Sequence, residues 1–155
     1  MDTNRIIDKL NDILRHEWTG VAQYSQASFV ITGLWREVYT SVFEESATES
    51  FGHAKIIGDK ISALGGVPTV ERNPVKQSQD VEEMLQHGLE FEQKAVALYN
   101  EAIQLAEEAT DNRALVILLE DVLKEEQEGV DDLSRLLRDH QAHTGSQTTA
   151  KAKAG

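Results

Sequence analysis

An all-α four-helix bundle with a single long crossover between its second and third helices is the fold class predicted by these 155 residues. Three observations predict it. The composition is rich in Ala, Leu, Glu, Gln and Lys and poor in aromatics (6%), which favours helix. Apolar residues recur at steps of three and four in four long blocks. Both prolines, Pro68 and Pro74, fall in the one stretch between the second and third blocks.

The first helix is predicted from about Asn4 to Ile31, on Ile6, Leu10, Ile13, Val21 and Tyr24. Thr32-Gly33-Leu34 makes a tight turn. A second helix runs from about Trp35 to Leu64 with Val38, Val42, Ile57, Ile61 and Leu64 on its buried side, and Gly65-Gly66 caps its end. Val67 to Gln79 has no helical period and reads as a linker. The third helix spans about Asp80 to Glu108 through Val81, Leu85, Leu89, Val96, Tyr99 and Ile103. Thr110-Asp111-Asn112 supplies turn and N-cap chemistry for the fourth, about Arg113 to His140, on Leu115, Leu119, Val122, Leu133 and Leu136. Residues 1–140 form the bundle, and 141–155 are read as a polar, mobile tail.

Each helix has about 27–30 residues, near 40 Å long at about 1.5 Å per residue. Short turns make the first and last helix pairs antiparallel hairpins. The linker of about 15 residues, at roughly 3.3 Å each, reaches about 50 Å. It therefore crosses the bundle and sets the second and third helices parallel.

Bulk properties exclude several function classes. A net charge of −12 argues against a nucleic-acid binder held by phosphate contacts and fits a protein that handles cations. With no cysteine, disulfides, thiolate zinc sites and iron–sulfur clusters are ruled out. No apolar run approaches the length of a membrane span, and the N-terminus lacks a signal peptide's apolar stretch. A soluble cytoplasmic protein is the expectation.

The chemistry lies in an internal echo. The segment Glu17 to Tyr24 (EWTGVAQY) recurs 75 positions later as Glu92 to Tyr99 (EQKAVALY), with Glu, Val, Ala and Tyr at matching places. A carboxylate on a helix's apolar stripe is costly unless paired or bound to a metal. Glu126 continues the stripe of Leu119 and Val122, while Glu49 and His53 lie mid-way along the second helix. Helix middles meet at one level whichever way each helix runs. The prediction is a central pocket of four carboxylates, Glu17, Glu49, Glu92 and Glu126, with the imidazole of His53. Such a donor set suits iron or manganese, and four carboxylates balance two ferrous ions. Tyr24, seven residues beyond Glu17, is placed to hydrogen-bond a ligand or to donate an electron.

The chain resembles the bacterioferritins of the ferritin-like superfamily over roughly residues 4 to 138. The resemblance rests on Leu14-Arg-His-Glu17 with Tyr24, Trp35, His53-Ala54, Leu64-Gly-Gly-Val-Pro68, Asp80 to Leu85 and Glu125-Glu126. It implies a homo-oligomeric cage of 24 subunits, a 12-mer or mixed-subunit cage being the variants. It also implies an intrasubunit di-iron ferroxidase centre and storage of ferric mineral. Departures stand beside it. The family's motif on the second helix is Glu-x-x-His, yet Ser50 stands three residues before His53. Either Glu49 reaches the metal across a π-type bulge eased by Gly52, or that ligand is lost. Gly129 stands where the family has a second histidine, with Gln127 a neighbour to fill that part. Phe51 replaces the haem-binding methionine, so no haem is expected. Alternatives are a rubrerythrin-like di-metal oxidase or peroxidase, a degenerate non-catalytic subunit, and a DNA-protecting mini-ferritin.

Overall fold

The computed structural model describes residues 3–109 and 111–145. It contains α1 (Thr3–Val30), a single 3-10 turn (Gly33–Trp35), α2 (Arg36–Ala63), α3 (Val81–Glu108) and α4 (Arg113–Thr144). The four predicted helices are present, and α1–α2 and α3–α4 pack as hairpins. The helix ends follow from local chemistry. Gly33 takes φ +75, which lets the chain turn tightly after α1. Arg36 then donates to the carbonyls of Ile31 (2.9 Å) and Ser28 (3.4 Å), placing a cation on the orphan acceptors of that helix end. The α2 terminus is a Schellman motif: Gly65 (φ +88) donates to Ser62 O and Gly66 to Ile61 O. A Cβ on Gly66 would fall 2.7 Å from Ile7 Cγ2, so the glycine also permits the close approach to α1. Asp80 caps α3 by accepting from Glu83 N at 3.0 Å.

The crossover is pinned along α1. Val67 O accepts from Asn11, Thr69 O accepts from Trp18 Nε1, Asn73 N donates to Thr19, and Lys76 N donates to Gln23. Partners on both segments rise together in number, so the crossover runs parallel to α1 for much of its length. α3 therefore starts beside the far end of α1 and runs parallel to α2, as predicted.

Three local expectations are corrected. Val38 is 55% exposed; Tyr39 and Phe43, one place along, carry the buried stripe instead. Asn112 occupies the N-cap position of α4 without a side-chain cap, and only its backbone carbonyl accepts, from Val116 N. α4 continues to Thr144, four residues beyond the expected end. Buried His140 meets the edges of Trp35 and Tyr39, and Gln141 donates to Glu82, so contacts with α2 and α3 sustain the extra turn. Most of the expected tail, residues 146–155, lies outside the described residues.

Two apolar clusters fill the interior. One gathers Leu10, Ile13, Ile57, Ile61, Leu115 and Leu119; the other gathers Ile31, Phe43, Leu85, Phe91, Leu133 and Leu137. Between them lies a belt of buried polar groups: Glu17, Ser50, His53, Glu92 and Glu126. Burying one charge costs several kcal/mol even after relaxation, so the packed ends of the bundle must carry an uncompensated middle.

Candidate metal centre

Each helix delivers one buried ionisable group to that belt. Glu17 (α1) has no exposed surface, and His53 (α2), Glu92 (α3) and Glu126 (α4) are nearly as enclosed. His53 lies at the centre. Its Nδ1 is 2.8 Å from Glu126 Oε1 and 3.7 Å from Glu17 Oε2. Its Nε2 is 2.6 Å from Glu125 Oε2 and 3.9 Å from Glu49 Oε1. Glu17, His53 and Glu126 bring potential ligand atoms within 4.8 Å of one another, and Glu49, His53 and Glu125 do the same at the rim.

The echoed segments explain the rest. α1 and α3 run antiparallel, so the tyrosine of each copy reaches the glutamate of the other. Tyr24 donates to Glu92 Oε1 at 2.7 Å, and Tyr99 donates to Glu17 Oε1 at 3.3 Å. Glu17 Oε2 has no hydrogen-bond partner; its ion-pair partner is the His53 imidazole, with Nδ1 3.7 Å away. A buried carboxylate oxygen left orphaned costs the full desolvation of that group unless a cation meets it.

The electrostatics are those of a site short of positive charge. Burial resists charge on His53, but the Glu126 and Glu17 carboxylates override it and lift the imidazole to about 11. Burial and Glu17 push Glu126 up to about 7 against the opposing pull of His53. Burial, then Glu126, holds Glu92 well above the usual carboxylate range, and the two sit close enough to share a proton. Burial with the adjacent carboxylate raises both Tyr24 and Tyr99. Protons here fill the role that hard cations would fill, and the donors are mostly oxygen with one imidazole. The set fits Fe(II) or Mn(II).

Sequence-predicted residues divide into two groups. Glu17, His53, Glu92 and Glu126 come together inside, with the Tyr24 hydroxyl on Glu92. Glu49 stays at the rim, its side chain 48% exposed. α2 is regular α-helix through this region, so the conditional bulge is absent. Ser50 turns inward instead, against Gly20, where a Cβ would fall 2.5 Å from Ser50 Oγ and 2.4 Å from Phe91 Cζ. Gln127 is exposed and donates to Asp131, away from the centre. The space at Gly129 is taken by Glu92, whose carboxyl carbon would lie 3.1 Å from a Cβ there. Phe51 sits half-exposed near Trp18. Sequence reasoning missed Glu125 as the second partner of His53; its place directly before Glu126 was the available clue.

A cavity of about 440 Å³ opens between α2 and α4 onto this centre, with Glu92 and Gly129 among its lining. Glu45, Glu49, Glu125, Glu128, Asp132 and Asp139 also line it, against a single cation, Arg135.

Comparison with known proteins places the family and the fold. Residues 7–142 match the Ferritin-like domain (Ferritin). The chain belongs to the ferritin-like family. It is 29% identical over 136 residues to the bacterioferritin of Mycobacterium leprae, covering 85% of this chain and 83% of that one. It is 25% identical to a bacterial ferritin of Synechocystis over 115 residues, 74% of each chain. A solved ferritin-like, diiron-carboxylate protein of Bacillus anthracis superposes with TM-score 0.85 at 31% identity, covering 88% of this chain and 98% of that chain. A dodecameric thioferritin, the bacterioferritin-related protein of Bacteroides fragilis, gives TM-score 0.83 at 27% identity over 94% and 92%. Among the described residues, no helix of this ferritin-like chain is long and apolar enough to cross a membrane.

Proposed function

We propose that this ferritin-like protein stores and detoxifies iron. It takes up Fe(II) at the Glu17, His53, Glu92 and Glu126 centre, oxidises it there, and retains the ferric product in an oligomeric cage. The observation that carries this reading is the convergence of buried Glu17, His53 and Glu126 within 4.8 Å of one another, with Glu92 beside Glu126 and Glu17 Oε2 left without a hydrogen-bond partner. Two ferrous ions are the substrate and supply two electrons, the number that reduces O2 to peroxide or peroxide to water. Manganese suits the same oxygens and is the second metal to test.

The residues have distinct parts. Glu17 and His53 Nδ1 hold the inner ion, Glu126 lies between the two ion positions, and Glu92 faces the second. Glu49 supplies a rim carboxylate that lines the acidic cavity. Tyr24 keeps Glu92 oriented, and its hydroxyl is the redox-capable group closest to that carboxylate. Uptake must displace the His53 Nδ1 proton and the proton shared by Glu92 and Glu126, which couples binding to proton release. The acidic cavity raises the local cation concentration at the entrance.

Storage needs a cavity larger than one bundle provides. The family resemblance implies a cage of 24 copies, whereas the Bacteroides fragilis neighbour is dodecameric. For a 17.3 kDa chain these are 24 × 17.3 ≈ 415 kDa and 12 × 17.3 ≈ 208 kDa. Size-exclusion chromatography with iron quantification tests the proposal: a cage loading many irons per subunit is expected. The diiron-carboxylate neighbour favours a second reading, a di-metal oxidase without storage, for which a small oligomer holding about two irons per chain is the outcome.

A further inference from the structure

Building on the di-cation reading above, we propose that Glu125 is a positioning residue: it holds the Nε2–H of His53 and so aims Nδ1 at the ion between Glu17 and Glu126. The one imidazole has carboxylates on both nitrogens. On the Nδ1 side stand Glu126 and Glu17, both enclosed. On the Nε2 side stand Glu125 and Glu49, whose side chains are 55% and 48% exposed. Each side, taken alone, has the spacing of a metal site.

A neutral imidazole has one lone pair. It serves one ion, and its other nitrogen keeps a hydrogen that needs an acceptor. The two sides are not equal. Glu17 Oε2, buried and without a hydrogen-bond partner, lies on the Nδ1 side, where water cannot compensate it. At the rim, solvent screens the carboxylates, and the 2.6 Å contact from Nε2 to Glu125 is already a short charge-assisted hydrogen bond. The ion therefore belongs to Nδ1 and the hydrogen to Nε2. Glu125 and Glu126 are consecutive on α4, so their side chains leave the helix in different directions. That is how one helix reaches both nitrogens of one ring. The pairing also replaces what α4 lacks at Gly129: instead of a second imidazole, α4 gives a carboxylate that fixes the existing one.

The test uses Co(II) as probe, titrated into the intact protein and followed by its visible ligand-field bands, with the ion located in crystals at the cobalt absorption edge. The expected result is Co(II) on Nδ1 in the wild type. Glu125→Ala should weaken binding by roughly 10–100-fold. Glu125→Gln, whose amide oxygen still accepts the Nε2–H, should restore most of that loss. Co(II) on Nε2, between Glu49 and Glu125, would overturn the positioning role while leaving a metal centre. So would Glu125→Gln as weak as Glu125→Ala, or Glu125→Ala as tight as wild type. Co(II) on neither face of His53 would bring down the di-cation reading as well.

Discussion

Tyr24 and Tyr99 hold each other's glutamates: the first donates to Glu92 at 2.7 Å and the second to Glu17 at 3.3 Å. The relation follows from an eight-residue segment repeated on two antiparallel helices, and it ties the inner faces of α1 and α3 across the site. Removing one hydroxyl leaves a buried carboxyl oxygen unpaired, at about 1–3 kcal/mol. Tyr24→Phe should therefore lower the unfolding temperature of the ion-free protein measurably, with Tyr99→Phe acting more weakly because its bond is longer. Calorimetry on both variants checks the order; a larger loss in Tyr99→Phe would contradict it.

Glu17 carries the clearest conflict between stability and function. Its side chain is wholly buried, and Oε2 accepts no hydrogen bond. Glu17→Gln removes the buried charge at nearly constant volume. The expected result is a protein that melts higher without metal and oxidises Fe(II) more than about tenfold slower. Glu92→Ala should slow oxidation to a similar degree. Stopped-flow absorbance of ferric products, set beside thermal melts, reads both effects.

The pH dependence of the ion-free fold has a defined sign. Glu126 and Glu92 have folded values raised above those of the unfolded chain, so their contribution is present at low pH and lost as pH rises through the folded value. For Glu126 that window runs from the ordinary 4.5 to about 7. His53 is raised from 6.5 to about 11, so its contribution is full below about 6.5 and is lost progressively as pH rises from there to about 11. Stability of the chelator-treated protein should fall between about pH 5 and pH 7, and divalent cation should abolish that fall. Melts across this range with and without Mn(II) decide it; a rising curve without metal would be wrong for this charge arrangement.

Gly129 should resist replacement although it lies inside a helix. Alanine there would normally gain about 1 kcal/mol of helix propensity. Here its Cβ meets the Glu92 carboxylate at 3.1 Å, and Tyr24 keeps that carboxylate from moving aside. Gly129→Ala should show no stability gain and weaker cation binding by titration calorimetry. A clear gain in unfolding temperature with unchanged binding would mean that Glu92 is free to move.

Much of this was legible in the sequence, and what escaped has a physical cause. Glu17, Glu92 and Glu126 were readable because each continues a stripe of large apolar residues to the same depth. α2 is harder: between Phe43 and Ile57 its inner face carries Ala47, Ser50 and Ala54, small groups that permit close packing but interrupt the apolar periodicity. With the period interrupted there, the pattern alone does not separate Val38 from the buried Tyr39 and Phe43, nor Glu49 from the inward Ser50. Glu125 was hidden because consecutive glutamates look like a solvated face until a histidine from another helix lies between them. The crossover is legible as a non-helical span, but its hydrogen bonds to Asn11, Trp18, Thr19 and Gln23 depend on side chains that carry no pattern of their own.

The most direct measurement is anomalous diffraction at the iron edge from crystals soaked anaerobically in ferrous salt. Two iron peaks are predicted in the interior, one bounded by Glu17, His53 Nδ1 and Glu126, the other by Glu126 and Glu92. Iron confined to the exposed carboxylates of the α2–α4 cavity, with the buried belt empty, would contradict the account.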